Sequence, residues 1–205
     1  MATALGPCVL EGNHVRLEPL SPSHASGLLA AAQESDWTWL TVDPREKNAM
    51  DEWIKIALKA EERCLEHPFT VFSREDHQVL GSTRYVDIRP IHRGVEIGMT
   101  WYVSKVWGTA VNPECKFLLM EHAFEDWNAV RVQLRTDNNN IHSQNAILKL
   151  GAKFEGRLRN HRVRRDGSSG DSMMYSITDG EWRESIKNSL RKRIDGLGIA
   201  EAQHR

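Results

Sequence analysis

The sequence of 205 residues lacks several features that would assign it to a class at once. It has three cysteines, Cys8, Cys64 and Cys115, without metal-binding spacing, so we expect reduced thiols and no metal site. The formal net charge of −1 gives no general attraction to nucleic acid or to anionic membranes. No apolar run approaches the roughly 20 residues of a membrane span, and the first residues show no signal segment. We therefore expect a cytoplasmic protein that contacts neither membranes nor nucleic acid.

Internal repeats, low-complexity tracts and linkers are also missing, which predicts a single domain over residues 1–205. We place its core at about residues 10–182, followed by a charged tail, 183–205, with a helical first half and loose last residues. Apolar periodicity predicts one strand, two helices, a run of antiparallel strands, and then strand, helix, strand, helix and hairpin. The expected fold is α+β or mixed, with a mostly antiparallel sheet of about seven strands flanked by helices.

The segment of residues 105–113, Lys-Val-Trp-Gly-Thr-Ala-Val-Asn-Pro, is the most informative part of the chain. It follows a strand-like run at 95–103 and precedes an amphipathic helix. Small residues at Gly108, Thr109 and Ala110 leave backbone amides unshielded, and we place Asn112 at the helix N-cap with Pro113 at the first helical position. Free amides and the positive end of a helix dipole together predict an anion site for a phosphate-bearing ligand.

Two common nucleotide motifs do not fit this segment. No Gly-Lys-Ser/Thr closes it, so it is not a P-loop, and the dinucleotide pattern Gly-x-Gly-x-x-Gly is absent. A shorter pattern remains, basic-x-x-Gly-x-Ala, formed by Lys105, Gly108 and Ala110. The alternative is a structural turn in which Gly108 only supplies a positive φ.

Together with the elements around it, the segment resembles the pyrophosphate loop of the GNAT superfamily of acetyl-CoA-dependent N-acetyltransferases, closest to the RimJ/RimL-type branch. Residues 140–143 and 150–156 are similar to that family's Asn-x-x-Ser and Leu-Gly-Phe-x-x-Glu-Gly signatures, and the closing hairpin also fits. The resemblance runs from about residue 15 to residue 182. It departs from the usual pattern at Lys105, where arginine or glutamine is usual, and at Ala110, where a second glycine is commoner. It implies a splayed central strand at 95–103.

The resemblance also implies acetyl-CoA as the cofactor, with coenzyme A as the product. Backbone amides of the loop would hold the pyrophosphate, and the backbones of Tyr102 and Val103 would pair with the pantetheine arm. The expected cofactor contacts are Tyr102, Val103, Lys105, Val106, Trp107, Gly108, Thr109, Ala110, Val111, Asn140, Ser143 and Asn145. For Asn140 and Ser143, an ordinary helix N-cap and a first-turn residue are the alternatives.

The implied reaction is direct transfer of an acetyl group to an amine, which needs an acid for the leaving thiolate and a base for the amine. Ser143 is the candidate acid. Glu96, on the strand before the loop, is the candidate base, because burial would raise the pKa of a carboxyl group there. The alternative for Glu96 is a salt bridge to Arg84 or Arg93. His161 or a chain of water molecules remains a further candidate for the base.

Three aromatic residues are candidates for the acceptor pocket: Trp37, Trp39 and Tyr85. Core packing is the alternative for each of them. We expect the acceptor to be a protein N-terminal amine or a small-molecule amine, and the enzyme to be a monomer or homodimer. Two other hypotheses stay open: a catalytically inactive acyl-CoA-binding regulatory module of the same fold, and a helix-turn segment that only packs.

Overall fold

The computed structural model describes residues 6–203 and, among their side chains, those of residues 6–198. The strands are β1 (Leu10–Glu11), β2 (Val15–Pro19), β3 (His67–Ser73), β4 (Val79–Arg89), β5 (Gly94–Tyr102), β6 (Arg131–Asp137), β7 (Lys153–Val163) and β8 (Ser169–Thr178). The helices are α1 (Ala25–Gln33), α2 (Lys47–Glu62), α3 (Val111–Glu121), α4 (Ile141–Leu148), α5 (Asp179–Glu181) and α6 (Lys187–Gln203). Short 3₁₀ turns lie at Pro22–His24, Pro90–His92 and Ser104–Val106, and π-helical segments at His122–Asp126 and Trp182–Ile186. In this described part of the chain, no helix is both long and apolar enough to cross a membrane.

All strands join one sheet in the order β1-β2-β3-β4-β5-β6-β8-β7. Every neighbouring pair is antiparallel except β5 and β6, which are parallel. The predicted α+β fold with a mostly antiparallel sheet is therefore confirmed. The sheet has eight strands among the described residues where about seven were expected, because the two-residue β1 is too short to show a periodic pattern.

Helices cover both faces of the sheet. Consecutive strand residues point to opposite faces, and on β4 the Arg84 guanidinium lies over Trp53 of α2 while the Tyr85 hydroxyl donates to the carbonyl of Leu119 in α3. We call the face of the sheet that carries Arg84 and contacts α2 the α2 face. The face that carries Tyr85 and contacts α3 is the α3 face. The core is continuous through both layers and includes Leu17, Phe69, Tyr85, Leu119 and Ile177.

The C-terminal segment packs on the core beyond the boundary expected at residue 182. Trp182 is fully buried and stacks on Phe124, and Ile186, Leu190 and Ile194 continue the same buried stripe. Their spacing of four residues puts them on one side of a helix, a periodicity that the surrounding charges obscure. The helical first half was expected; the helix in fact continues to Gln203, and residues 204 and 205 lie outside the described residues.

A β-bulge interrupts the pairing of β4 with β5. Ser82 lies opposite Trp101 and Arg84 opposite Gly98, so Thr83 on β4 faces two residues, Met99 and Thr100, on β5. Met99 has a φ of 49°, outside the usual strand region. An extra residue of this kind bends its strand and increases the local twist. On its other side, β5 pairs with β6 only at Gly94, Val95 and Glu96. The two strands therefore separate beyond Glu96, which confirms the splayed central strand.

A buried lysine contacts the bulge from the α3 face. Lys116 Nζ donates to Thr100 Oγ1 at 2.6 Å and to Thr83 Oγ1 at 3.3 Å, and the two hydroxyls are 2.8 Å apart. Lys116 is 6% exposed and no ion pair is seen for it among the described residues. Burial lowers the pKa of Lys116 from 10.5 to about 8, since the charged form loses its hydration.

A carboxylate anchors the N-terminal strands to α3. Glu114 is 4% exposed and accepts hydrogen bonds from the backbone amides of Asn13, His14 and Val15 at 2.7–2.9 Å. A Cβ on Gly12 would lie 2.4 Å from Glu114 Cδ, so only glycine allows the carboxylate to approach. Three charge-assisted hydrogen bonds thus fix the turn between β1 and β2.

We expect Glu114→Gln to destabilise the fold by roughly 2 kcal/mol, because the amide group replaces a charged acceptor and turns a donor toward backbone donors. The measurement is the urea midpoint at constant m-value. Glu62→Gln, at an exposed position at the end of α2, is the control and should change stability by less than about 0.5 kcal/mol. Equal midpoints for the two variants would contradict the anchoring role.

We expect Lys116→Met to stabilise the protein at pH 7 by about 1–3 kcal/mol, because it removes a buried charge without a counter-ion. The folded-state pKa lies below the ordinary 10.5. The unfolded chain therefore binds the proton more tightly, and wild-type stability rises as pH rises from about 8 toward 10.5. The advantage of the variant should shrink over that interval. Urea unfolding at several pH values, with Lys59→Met as the exposed control, measures this; a pH-independent difference would refute it.

Candidate active site

The predicted anion loop lies at the start of α3. A 3₁₀ turn at Ser104–Val106 leads into Gly108, which has a φ of 80°, and Ala110 occupies the N-cap position of a helix that begins at Val111. The prediction that Asn112 caps the helix and Pro113 opens it is wrong, since both lie inside the first turn. Proline is tolerated there because first-turn amides have no helical acceptor and its fixed φ suits the helix.

Most amides of the loop already have acceptors within the loop. The amide of Trp107 donates to Ser104 O at 3.1 Å and that of Thr109 to Val106 O at 3.4 Å. The amide of Val111 donates to Thr109 Oγ1 at 3.3 Å, whereas that of Gly108 has no partner among the described residues. An anion bound here would meet the Gly108 amide directly and would compete with the Thr109 hydroxyl for the amide of Val111.

The side chains around the loop are exposed on the rim. Lys105 is exposed and its Nζ lies 3.4 Å from Gln78 Oε1, while Val106 is partly buried below it. The Trp107 ring, 45% exposed, stacks on His142 of α4 with the ring centroids 5.3 Å apart. This stack joins the loop to the start of α4. Sequence reasoning missed His142, since nothing local indicates which ring lies opposite Trp107.

At the start of α4, Asn140 is the N-cap: its side-chain oxygen accepts from the amide of Ser143 at 3.0 Å. The N-cap role of Asn140 therefore uses its side-chain oxygen and leaves its NH₂ group available to a ligand. The Ser143 hydroxyl has no hydrogen-bond partner among the described residues. Asn145, in the next turn of α4, is exposed. The start of α4 thus offers one amide donor and one hydroxyl to the cleft side of the loop.

The backbone of β5 has a free edge along the cleft. Tyr102 pairs with Gly81, and the amide of Val103 donates to Leu80 O at 2.8 Å, so both backbones are bonded on the β4 side. On the β6 side, pairing with β6 stops at Glu96, and Val103 forms an isolated antiparallel bridge with Ser35 of the α1–α2 loop, so the free edge is the part of β5 that lies between these two points. An extended chain carrying amide groups could add to this free edge as an extra strand does. A pantetheine arm and a diphosphate therefore fit the residues present: the edge for the arm and the loop for the phosphates.

Glu96 lies at the point where β5 and β6 separate, on the α2 face. It is 3% exposed; Gln133 Nε2 donates to its Oε2 at 2.7 Å, and Arg135 Nη2 lies 3.2 Å from its Oε1. The predicted salt-bridge partners, Arg84 and Arg93, are wrong. The parallel register places Gln133 opposite Glu96, and Arg135 follows on the same face. Arg84 pairs with Glu66 instead.

The alternative base, His161, lies on β7, and its Nδ1 is 3.0 Å from Ser172 Oγ. In the sheet, β8 and β6 stand between β7 and β5. The structure therefore places Glu96, and not His161, at the strand separation.

The three candidate acceptor aromatics have different environments. Trp37 is 2% exposed, donates from Nε1 to Ala32 O and packs on Trp101, with the ring centroids 4.8 Å apart. Tyr85 is fully buried on the α3 face, so its side chain is part of the core. Trp39 is partly exposed, and its carbonyl accepts from Arg162 of β7 at 3.0 Å. Only Trp39 presents surface where the α1–α2 loop meets the β7–β8 hairpin.

Comparisons with known proteins agree with this geometry. The acetyltransferase (GNAT) domain family matches residues 14–153, a range that includes β5, the loop, α3 and the start of α4. No curated protein matches the chain at a significant level.

Solved structures resemble the chain along most of its length. A T. thermophilus protein described as an acetyltransferase is 32% identical with a TM-score of 0.81, and the match covers 92% of this chain and 97% of that one. A GCN5-related N-acetyltransferase from Brucella melitensis is 26% identical with a TM-score of 0.86, covering 94% and 87%. RimL, a ribosomal L7/L12 alpha-N-protein acetyltransferase, is 16% identical with a TM-score of 0.73 over 84% and 94%, a likeness of fold alone. The domain match, the 32% identity and the split sheet agree that this chain belongs to the GNAT family of acetyltransferases.

Proposed function

We propose that the protein is an acetyl-CoA-dependent N-acetyltransferase that transfers an acetyl group directly to a primary amine. The observation that carries this proposal is the cleft between β5 and β6, which has the amide-bearing loop of α3 on its rim and the buried Glu96 where the strands separate. A cofactor bound at the loop and extended along the cleft would approach this carboxylate, which would receive a proton from an amine.

When bound, acetyl-CoA supplies the acetyl group as a thioester. The amides of Gly108 and Val111 and the α3 dipole would bind its diphosphate, with Lys105 at the rim. The backbones of Tyr102 and Val103 would bind the pantetheine amides once the bridge of Val103 with Ser35 opens, and the NH₂ group of Asn140 would donate to the same arm.

The remaining chemistry is proton transfer. Glu96 accepts the proton of the acceptor ammonium, directly or through one water molecule, and Gln133 and Arg135 hold both of its oxygens in place. The Ser143 hydroxyl would give its proton to the thiolate that leaves, and it would regain a proton from the acceptor nitrogen, which loses its second proton as it becomes an amide. Because Ser143 has no other partner among the described residues, its hydroxyl is free to rotate toward the sulfur.

For the acceptor, we propose a protein N-terminal amine or a small-molecule amine, at the surface where Trp39 meets the β7–β8 hairpin. The motif resemblance supports the RimJ/RimL-type branch. The inactive acyl-CoA-binding module is the alternative, and release of free thiol in the presence of any amine distinguishes the two.

We expect Gly108→Asp to weaken coenzyme A binding at least about 100-fold, because it places a carboxylate beside the proposed phosphate site. The free protein has room for the side chain, since a Cβ at Gly108 has no atom within 4 Å. Gly167→Asp is a matched control: that glycine has a φ of 83° and equally open surroundings at the tip of the β7–β8 hairpin. Titration calorimetry measures both, and unchanged affinity in Gly108→Asp would refute the loop assignment.

We expect Glu96→Gln to lower kcat by roughly 10²–10³ while leaving coenzyme A affinity unchanged, since the amide keeps the shape but cannot accept the proton. Steady-state kinetics by thiol release, paired with calorimetry, separates the two effects. A kcat close to that of wild type would exclude Glu96 as the base.

A further inference from the structure

Arg84 is a buried cation with unused donors. Its side chain is 4% exposed, Nη1 donates to Glu66 Oε2 at 2.8 Å, and the Trp53 ring lies 4.3 Å from Cζ. Its Nε and Nη2 are buried and have no hydrogen-bond partner among the described residues, and the same is true of Trp101 Nε1. Three buried nitrogen donors on the α2 face therefore lack acceptors, which is uncommon in native interiors.

The two free nitrogens of Arg84 have a specific geometry. Nε and Nη2 lie on one edge of the planar guanidinium and form the fork that binds both oxygens of a carboxylate side-on. Glu66 occupies the other end through Nη1 and is itself 26% exposed. The environment thus leaves free the edge of the guanidinium that recognises planar oxyanions.

This edge lies close to the proposed reaction centre. Along β4 and β5, Arg84 is opposite Gly98 and Val86 is opposite Glu96. The α2 face therefore carries Arg84 and Glu96 on neighbouring strands, with only the side-chain-free Gly98 between them on β5. A Cβ placed on Gly98 would be 3.4 Å from Glu96 Oε1.

We propose that Arg84 Nε and Nη2, assisted by Trp101 Nε1, bind a carboxylate of the acceptor, so that the acceptor is an amine bearing a carboxylate a few bonds from its nitrogen. This rests on the proposed acetyltransferase function. The positive Arg84 and the negative Glu96 match the two charges of such a zwitterion: the carboxylate faces the fork and the ammonium faces the base.

For the acceptor to reach the Arg84 guanidinium, the side chains that cover the guanidinium must move. The Trp53 ring covers the Arg84 guanidinium, and Trp37 of the α1–α2 loop packs on Trp101. The same loop contacts the β7–β8 hairpin through Arg162 and through the ion pair of Arg165 with Asp43 at 3.3 Å. The acceptor enters where Trp39 of this loop meets the hairpin, and tryptophan fluorescence should report its arrival.

The test compares amines that differ only in the carboxylate. Glycine, β-alanine and γ-aminobutyrate are each measured against their carboxamides, and a C-terminally amidated Asp-Ala-Ala peptide against Asn-Ala-Ala. Binding is followed by tryptophan quenching with coenzyme A present, and turnover by thiol release. We expect wild type to prefer the acids at least about 100-fold, because the amides leave buried donors unpaired. Preference in the free amino acids or in the peptides identifies which source of carboxylate is used.

Arg84→Lys keeps the charge and removes the fork, and we expect the preference to fall below about 10-fold with the KM for acetyl-CoA unchanged. Trp101→Phe removes one donor only and should lower the preference partly. It also keeps the test valid if Arg84→Lys does not fold. Arg159→Lys, at an exposed position on β7, should leave the preference intact.

Equal binding of acids and amides by wild type overturns the carboxylate site, whether or not turnover occurs. Retention of the full preference by folded Arg84→Lys overturns it as well. Selective binding of the acids without thiol release supports the carboxylate site and contradicts the acetyltransferase proposal instead.

Discussion

The separation of β5 from β6 after Glu96 is the constraint on which the rest of this site depends. The bulge at Met99 and Thr100 turns β5 away, and Lys116 binds both threonine hydroxyls behind it. If β5 and β6 stayed paired beyond Glu96, there would be no cleft between them, and β6 would occupy the edge of β5. The separation instead leaves an unpaired stretch of β5 with Glu96 at one end and the start of α3 beyond the other, as a site for a long, polar, phosphate-bearing molecule requires.

The two faces of the sheet have different roles. The α3 face is held by closed interactions, including the Tyr85 hydroxyl on Leu119 and the Glu114 carboxylate on three amides. The α2 face keeps polar groups whose bonding capacity is only partly used, at Arg84 and Trp101. Because an unpaired buried donor is costly, the free groups of Arg84 and Trp101 favour ligand recognition on the α2 face, while the α3 face keeps such costs at the Tyr102 hydroxyl and at Lys116.

Much of the site could be predicted from the sequence where its features are local. Gly108 does adopt a positive φ and Asn140 does cap α4. The splayed strand was implied by the family resemblance and not by local features. The start of α3 was misplaced because proline and asparagine suit several first-turn positions equally. The stripe of Trp182, Ile186, Leu190 and Ile194 was hidden by the charged residues between its members.

The loop, the Asn140 cap of α4 and the alternation of the strands follow from the sequence alone, because each depends on residues adjacent in the chain. Which side chains meet across the sheet follows only from the three-dimensional fold. The partners of Glu96 follow from the register of β5 against β6, and the free edge of Arg84 follows from its placement between Glu66 and Trp53. Contacts between residues distant in sequence depend on strand register and helix packing, which local preferences do not specify.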